Sequence, residues 1–309
     1  MRLARGRQAS STAELCVHGE LATWLRDAAP ARGLRPKAAA IVDFLASQPQ
    51  QAAYASVADV ARRVGANPAT VTRTAQTLGY DGWPDLQREL RARYLSHLSA
   101  AQVNAAHREE GGTSWAGSLS RDQENLAQLA AHADDEAVAR IAEAIASARR
   151  TLVIAAGSYA SAGTALAHNA RLAGYDVRLE ATGGADLVNS VAALGPEDLL
   201  IAISFWRLYQ STVTAAEDAS ERGTRVFVIT DAASPPLAAA AEDVLLAPAE
   251  GTSFFPSLTA GLALCQSIVA QLATLDPDRT AASVAAAEER WVRYGVLHRA
   301  ATLKWDGKR

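Results

Sequence analysis

The sequence predicts an all-α domain followed by a three-layer α/β domain with a parallel sheet. Three observations carry this reading. Residues 35–98 contain apolar positions at helical spacing and no strand-like run. From Thr151 onward, short apolar runs alternate with helical segments, the pattern that gives a parallel sheet covered by helices. A chain of 309 residues also has room for two domains. The expected division is a helical domain over 1–98, a linker over 99–125, an α/β domain over 126–276 and a C-terminal helix over 277–309.

Composition narrows the class. The chain is 49% hydrophobic and 20% charged, ordinary values for a globular protein. Net charge is −3, but residues 1–100 carry +5 and residues 101–309 carry −8. A basic front on an acidic body suggests a polyanionic partner for the front. Cys16 and Cys265 match no metal or redox spacing, and the six histidines form no ligand cluster. The expectation is therefore no metal, no cofactor and a cytoplasmic location. Residues 1–15 read as a polar basic tail without the apolar core of a signal peptide. The stretch from Leu258 to Leu275 is interrupted by Gln266, Ser267 and Gln271, so it reads as a buried helix and not a membrane span.

In the first domain a short helix is expected over Glu20–Ala28. Ala38, Ile41, Val42 and Leu45 then fall on one helical face. Ser56 is a good N-cap for the next helix, with Asp59 three residues on. Gly65 can take the left-handed position that ends that helix and permits a sharp turn. Asn67 caps a further helix whose first residue is Pro68. Val71, Ala75 and Leu78 face inward at i, i+4 and i+7. Ala69, Thr70, Thr72, Arg73 and Gln76 are left outward or flanking. Arg can bond guanine in two places, Gln can do so with adenine, and a Thr methyl can touch thymine, so this face suits the major groove of DNA. Ser56 and helix-start amides, with Arg62 or Arg63, would supply phosphate contacts. An ordinary helical hairpin with a solvated polar face is the competing reading. A helix from Pro84 to about Leu98 closes the domain after Tyr80-Asp81-Gly82-Trp83.

In the second domain strands are expected at 151–155, 176–179, 198–204, 225–230 and 243–246, with helices over 162–173, 211–222, 257–275 and from 279 to about 303. Ligands in open α/β sheets bind at the carboxyl ends of strands. Two such ends carry polar groups ahead of a helix. One is Gly157-Ser158-Tyr159-Ala160-Ser161. The other is Ser204 through Arg207, Tyr209, Ser211 and Thr212. Hydroxyls and free amides at a helix start attract anions, and Arg207 adds a fixed charge. The same hydroxyls could simply cap their helices, and Phe205 and Trp206 could be core or dimer-interface residues. After the fifth strand, Glu250 can line the pocket or be a solvated loop acid, and Ser253 can cap the following helix.

The segment SVADVARRVGANPATVTRTAQTLGYDGWPDLQREL resembles the N-terminal domain of the RpiR/MurR family of bacterial transcriptional regulators, with Ala69-Thr70-Val71, Arg73, Leu78-Gly79-Tyr80 and Gly82-Trp83 at the matching places. Thr74 departs from the family pattern, which has Phe there. The order of parts after Thr151 resembles the SIS, or sugar isomerase, domain of the same family. The usual phosphosugar loop Ser-x-Ser-Gly-x-Thr is rebuilt, because only Ser204 is retained and Trp206, Arg207 and Tyr209 replace the rest. The chain looks like the branch of the family with an aromatic-Arg-x-Tyr loop. The resemblance implies operator DNA and a small phosphorylated or acidic effector as partners, a homodimer or homotetramer, no membrane, and no catalysis. A sugar-phosphate isomerase and a protein-interaction adaptor are the alternatives.

Overall fold

The structure, a computed structural model, describes residues 19–99, 101–103, 114–233 and 236–297. The basic tail at 1–15, Cys16 and the end of the chain beyond 297 lie outside the described residues.

Proline stands in the first turn of four helices of the first domain. Helix α1 covers 19–27, followed by α2 (Pro36–Ser47), α3 (Pro49–Tyr54), α4 (Val57–Arg63), α5 (Pro68–Thr77) and α6 (Trp83–Ser96). Proline suits a first helical turn, where its missing N–H would have had no partner. Ile41, Val42 and Leu45 of α2 are buried as their spacing predicts. Helix α3 was not separated by sequence reading; the chain turns at Gln48, between α2 and Pro49. The core of this domain gathers Leu21, Leu25, Ile41, Leu45, Val60, Val71, Leu86, Leu90 and Leu95.

Helix α7 (Trp115–Ala131) begins inside the segment read as linker or as the start of an exposed helix. It leads to α8 (Asp135–Ser147) and then to the sheet. The strands are β1 (Thr151–Ile154), β2 (Val177–Glu180), β3 (Leu199–Ile203), β4 (Arg225–Thr230) and β5 (Asp243–Leu246). Their order is β2-β1-β3-β4-β5, and all pairs are parallel. The helices between and after them are α9 (Ala160–Leu172), α10 (Gly184–Ala192), α11 (Gln210–Glu221), α12 (Thr259–Leu275) and α13 (Pro277–Tyr294).

Strand residues alternate between two cores. Val153, Ile201, Ile203, Phe227 and Ile229 pack with α8, α9 and α12. Leu152, Ile154, Leu200, Ala202, Val226 and Val228 pack with α10 and α11. Sheet residues buried on both faces explain why the strands read as continuous apolar runs.

Two helices differ from expectation. Helix α10 has no counterpart in the sequence pattern, because it is short and opens on Gly183-Gly184, a loop signal. Helix α13 stops at Tyr294 and does not reach Leu303. Gly295 takes the left-handed conformation there, with φ of 63°, and closes the last turn onto Val292. No described helix is long and apolar enough to cross a membrane.

Candidate functional site

The turn between α4 and α5 is fixed by local hydrogen bonds. The Ser56 hydroxyl oxygen accepts from the Asp59 amide at 3.1 Å and donates to the Asp59 carboxylate at 2.6 Å. That bond, followed by the nearby Arg62 guanidinium, outweighs desolvation and holds the Asp59 carboxyl below its usual range. At the end of α4, Gly65 has φ of 60°, and the Ala66 amide reaches back to the Ala61 carbonyl at 2.8 Å. This pairing lets the chain reverse sharply. The Asn67 side chain accepts from the Thr70 amide at 2.8 Å and starts α5.

Helix α5 turns Val71, Thr74 and Ala75 inward. It leaves Asn67, Ala69, Arg73 and Gln76 exposed and Thr70 and Thr72 half-buried. The Thr70 hydroxyl donates to Asn67 at 2.8 Å and accepts from the Arg73 guanidinium at 3.3 Å. A row of polar side chains is thus held in register on one face. Gln76 donates to the Asp81 carbonyl at 3.3 Å, which ties its amide to the exit turn. Thr74, at the place where an aromatic was expected, is buried without penalty: its hydroxyl donates to the Thr70 carbonyl at 2.8 Å.

A concavity beside α5 is lined by Thr70, Arg73 and Thr77 together with Arg32, Arg35 and Lys37. These three cations were missed in the sequence. They are exposed, and Lys37 donates to the Gly65 carbonyl at 2.8 Å, which anchors α2 to the turn. The signal available was the basic run from Arg32 to Lys37, but nothing in its spacing placed it next to Arg73.

In the α/β domain the connections leaving β1 and β3 run in opposite directions across the sheet, so their carboxyl ends are the switch point at which open α/β sheets place a ligand crevice. The loop after β1 turns at Gly157, φ 60°. A Cβ there would stand 2.8 Å from the Tyr209 hydroxyl, so glycine is required for Tyr209 to lie across the loop. Tyr159 does not open to solvent. It is buried, its hydroxyl donates to the Phe205 carbonyl at 2.6 Å, and its ring meets those of Phe205 and Tyr209 edge-on at 5.6 and 5.9 Å. Burial pushes the phenol up from its ordinary value, so the proton stays on the donor. Tyr159 is a brace between the two loops rather than an open ligand group.

Ser204 ends β3 fully buried, and its hydroxyl has no hydrogen-bond partner among the described residues. Arg207, Tyr209 and Ser211 are exposed, as are Gly157, Ser158 and Ser161. Ser161 donates to the Ser158 carbonyl at 2.9 Å. Thr212 is buried on the inner side of α11. No side chain caps the start of α9 or α11, so the capping roles read for Ser158, Ser161, Ser211 and Thr212 do not occur. Phe205 is core: it fills the space left by Gly261 of α12.

Two expectations after β5 are corrected. Ser253 does not cap α12, which starts only at Thr259; its hydroxyl accepts from the Phe255 amide in a local turn. The start of α12 is held by Asp122 of α7, which accepts from Ser257 at 2.5 Å and Thr259 at 3.0 Å. Glu250 is not the solvated loop acid of the alternative reading. It faces Arg91 of α6 at 3.4 Å, in a small cavity shared with Trp206, Asp231, Arg88 and Arg121.

The SIS domain family matches residues 144–276, and the helix-turn-helix domain of the rpiR family matches residues 29–97. An uncharacterized HTH-type transcriptional regulator of Clostridium perfringens is 23% identical over 199 residues, 64% of this chain and 71% of that protein. The sugar isomerase domain of an RpiR transcription factor from Sphaerobacter thermophilus is 30% identical with a TM-score of 0.55, covering 56% of this chain and 97% of its own. The Vibrio vulnificus NanR protein complexed with ManNAc-6P has the same fold: 22% identity and a TM-score of 0.57, over 89% of this chain and 98% of its own.

Proposed function

We propose that this chain, which belongs to the RpiR family of helix-turn-helix transcriptional regulators with a SIS domain, controls transcription by reading DNA with α5 and sensing a small anion in the β1/β3 crevice. The observation that carries the reading is one chain holding both a hydrogen-bonded Asn67–Thr70–Arg73 face on a rigidly capped helix and a buried, unpartnered Ser204 hydroxyl at a strand switch point. Arg73 and Gln76 are suited to base edges, and Ser56, Arg32, Arg35 and Lys37 to phosphates.

The effector is proposed to be a phosphorylated or acidic metabolite. Ser204 offers an unused donor, Arg207 a fixed charge, and no side chain caps the first amides of α11. The sugar phosphate held by the NanR protein is of this class. Tyr209 and Trp206 occupy room that an open serine-rich loop would leave, which favours a small ligand. The reading favours a regulator over an isomerase, because the Glu250 carboxylate, the acid that follows β5, is paired with Arg91 and is not a free base. We place the protein in the cytoplasm and in a homo-oligomer. Helix α13 buries none of its residues and ends beside exposed Val292, Tyr294, Val296 and Leu297, which supports a self-association surface.

The reading is tested by thermal shift of the full chain against sugar phosphates and their dephosphorylated sugars. A ligand of the folded state raises the melting temperature. The expected result is a rise with at least one phosphorylated or acidic compound, lost in Arg207→Ala. Equal rises with neutral sugars would overturn the anionic assignment.

A further inference from the structure

Helix α6 connects the two domains chemically as well as by sequence. On one side it closes the end of α3, whose last carbonyls have no helical partner. Gln87 donates to the Ala55 carbonyl at 2.7 Å, and Arg91 donates to the Ala53 carbonyl at 2.9 Å. The Arg91 guanidinium also lies 4.7 Å over the Tyr54 ring. These contacts hold the residues directly before Ser56, the cap that starts the helix-turn-helix. On the other side, Arg91 meets the Glu250 carboxylate at 3.4 Å, with both side chains more than four-fifths covered. Glu250 is itself located by Asn125 of α7, which is buried and donates to the Glu250 carbonyl at 2.8 Å.

The neighbour of Glu250, Gly251, leads back to the effector loop. The Phe255 carbonyl leaves no room for a Cβ on Gly251, and the Trp206 ring borders the same spot, 3.4 Å from where that Cβ would stand. Trp206 sits between Phe205 and Arg207 and has φ of 50°, strained for so bulky a residue. Its amide donates to the buried Asp231 carboxylate at 2.9 Å, which holds the strained turn. A ligand at Ser204 or Arg207 would bear directly on this strained turn, because both residues lie within two positions of Trp206.

We propose that Glu250 and Arg91 form a latch through which the Ser204–Tyr209 loop, by way of the Trp206 ring beside Gly251, positions the helix-turn-helix. Glu250 is then a positioning residue and not an effector ligand. The proposal rests on the crevice being the effector site. The chain of contacts is contiguous from loop to DNA-binding domain, and it passes through the strained Trp206 turn.

Hydrogen exchange of the full chain tests the latch without any effector. Glu250→Gln is expected to raise exchange at residues 52–54 by roughly threefold to tenfold, with residues 199–203 unchanged as the folding control. Trp206→Gly, which tolerates the positive φ but removes the ring, is expected to produce the same increase. The double variant is expected to add nothing to either. If Trp206→Gly leaves residues 52–54 at the wild-type rate, or if Glu250→Gln does, the latch is wrong. Should the glycine variant disturb the sheet, the exchanged pair Arg91→Glu with Glu250→Arg decides. Its rate must return toward wild type relative to Arg91→Glu alone, and no recovery overturns the proposal. Since no ligand is used, failure here leaves the effector assignment intact, and failure of the Arg207→Ala titration leaves the latch intact.

Discussion

The α5 surface is assembled from residues a few positions apart, whereas the β1/β3 crevice joins segments such as Tyr159 and Phe205 that are 46 residues apart. The first kind of site is fixed by capping and helical period, which are local. The second depends on strand order, which brings distant loops together. Side chains on α5 are also exposed and rigidly spaced, while the crevice is braced by buried aromatic rings. A surface of the first kind tolerates a change of chemistry without loss of fold, whereas in the second kind the bracing residues, Gly157 and Tyr159, do not.

Four substitutions would break or sharpen that contrast. The largest effect is expected from Arg73→Ala, an exposed residue on α5. It should weaken specific DNA binding by about 1–3 kcal/mol, roughly fivefold to 150-fold, with an unchanged melting temperature. A footprint like that of wild type would remove Arg73 from the base-reading face. Gly157→Ala comes next. It places a side chain at φ 60° against the Tyr209 hydroxyl and is expected to cost about 1–2 kcal/mol of stability. Binding of DNA by the folded protein should persist, and unchanged stability would show that Tyr209 does not need this glycine.

The third is a pH effect. Burial pushes the Asp231 carboxyl up to about 6, against the partial relief given by the Trp206 amide, and Glu250 and Glu89 raise it further. A raised folded value means that this group's contribution is fully present below about 3.8, the unfolded value, and is lost as pH rises through about 6. Asp231→Asn keeps an acceptor for Trp206 and removes the charge. It should melt roughly 2–4 °C above wild type at pH 7.5 and together with it at pH 3.5, followed by a melting series across that range. Equal melting at both ends would contradict the buried-charge account. Ser204→Ala has the smallest expected effect on stability, within about 1 kcal/mol and neutral or stabilising, because the hydroxyl removed has no partner. The same variant should weaken the thermal shift produced by an anionic ligand, and an undiminished shift would take Ser204 out of the site.

Most of the fold was legible. Ser56, Gly65 and Asn67 each act where their chemistry predicts, since a cap or a left-handed turn needs only its immediate neighbours. All five strands lie within a residue or two of their apolar runs. The illegible parts are those set at long range. Arg32 and Arg35 gain meaning only when α2 packs beside α5, and Glu250 only when α6 brings Arg91 to it. Tyr159 reads as a loop hydroxyl in the sequence and proves to be a brace, because its partner carbonyl comes from another strand. The end of α13 at Gly295 was legible in principle, but the apolar residues beyond it invited a longer helix.

The central claim is that anion binding in the crevice alters DNA reading by α5. The most direct measurement is the DNA affinity of the full chain, at fixed salt, with and without each compound of a sugar-phosphate and acid-sugar panel, in wild type and in Arg207→Ala. The account predicts that at least one anionic compound shifts the wild-type affinity and that Arg207→Ala binds DNA normally but does not respond. A wild-type affinity indifferent to every compound that raises the melting temperature would contradict it.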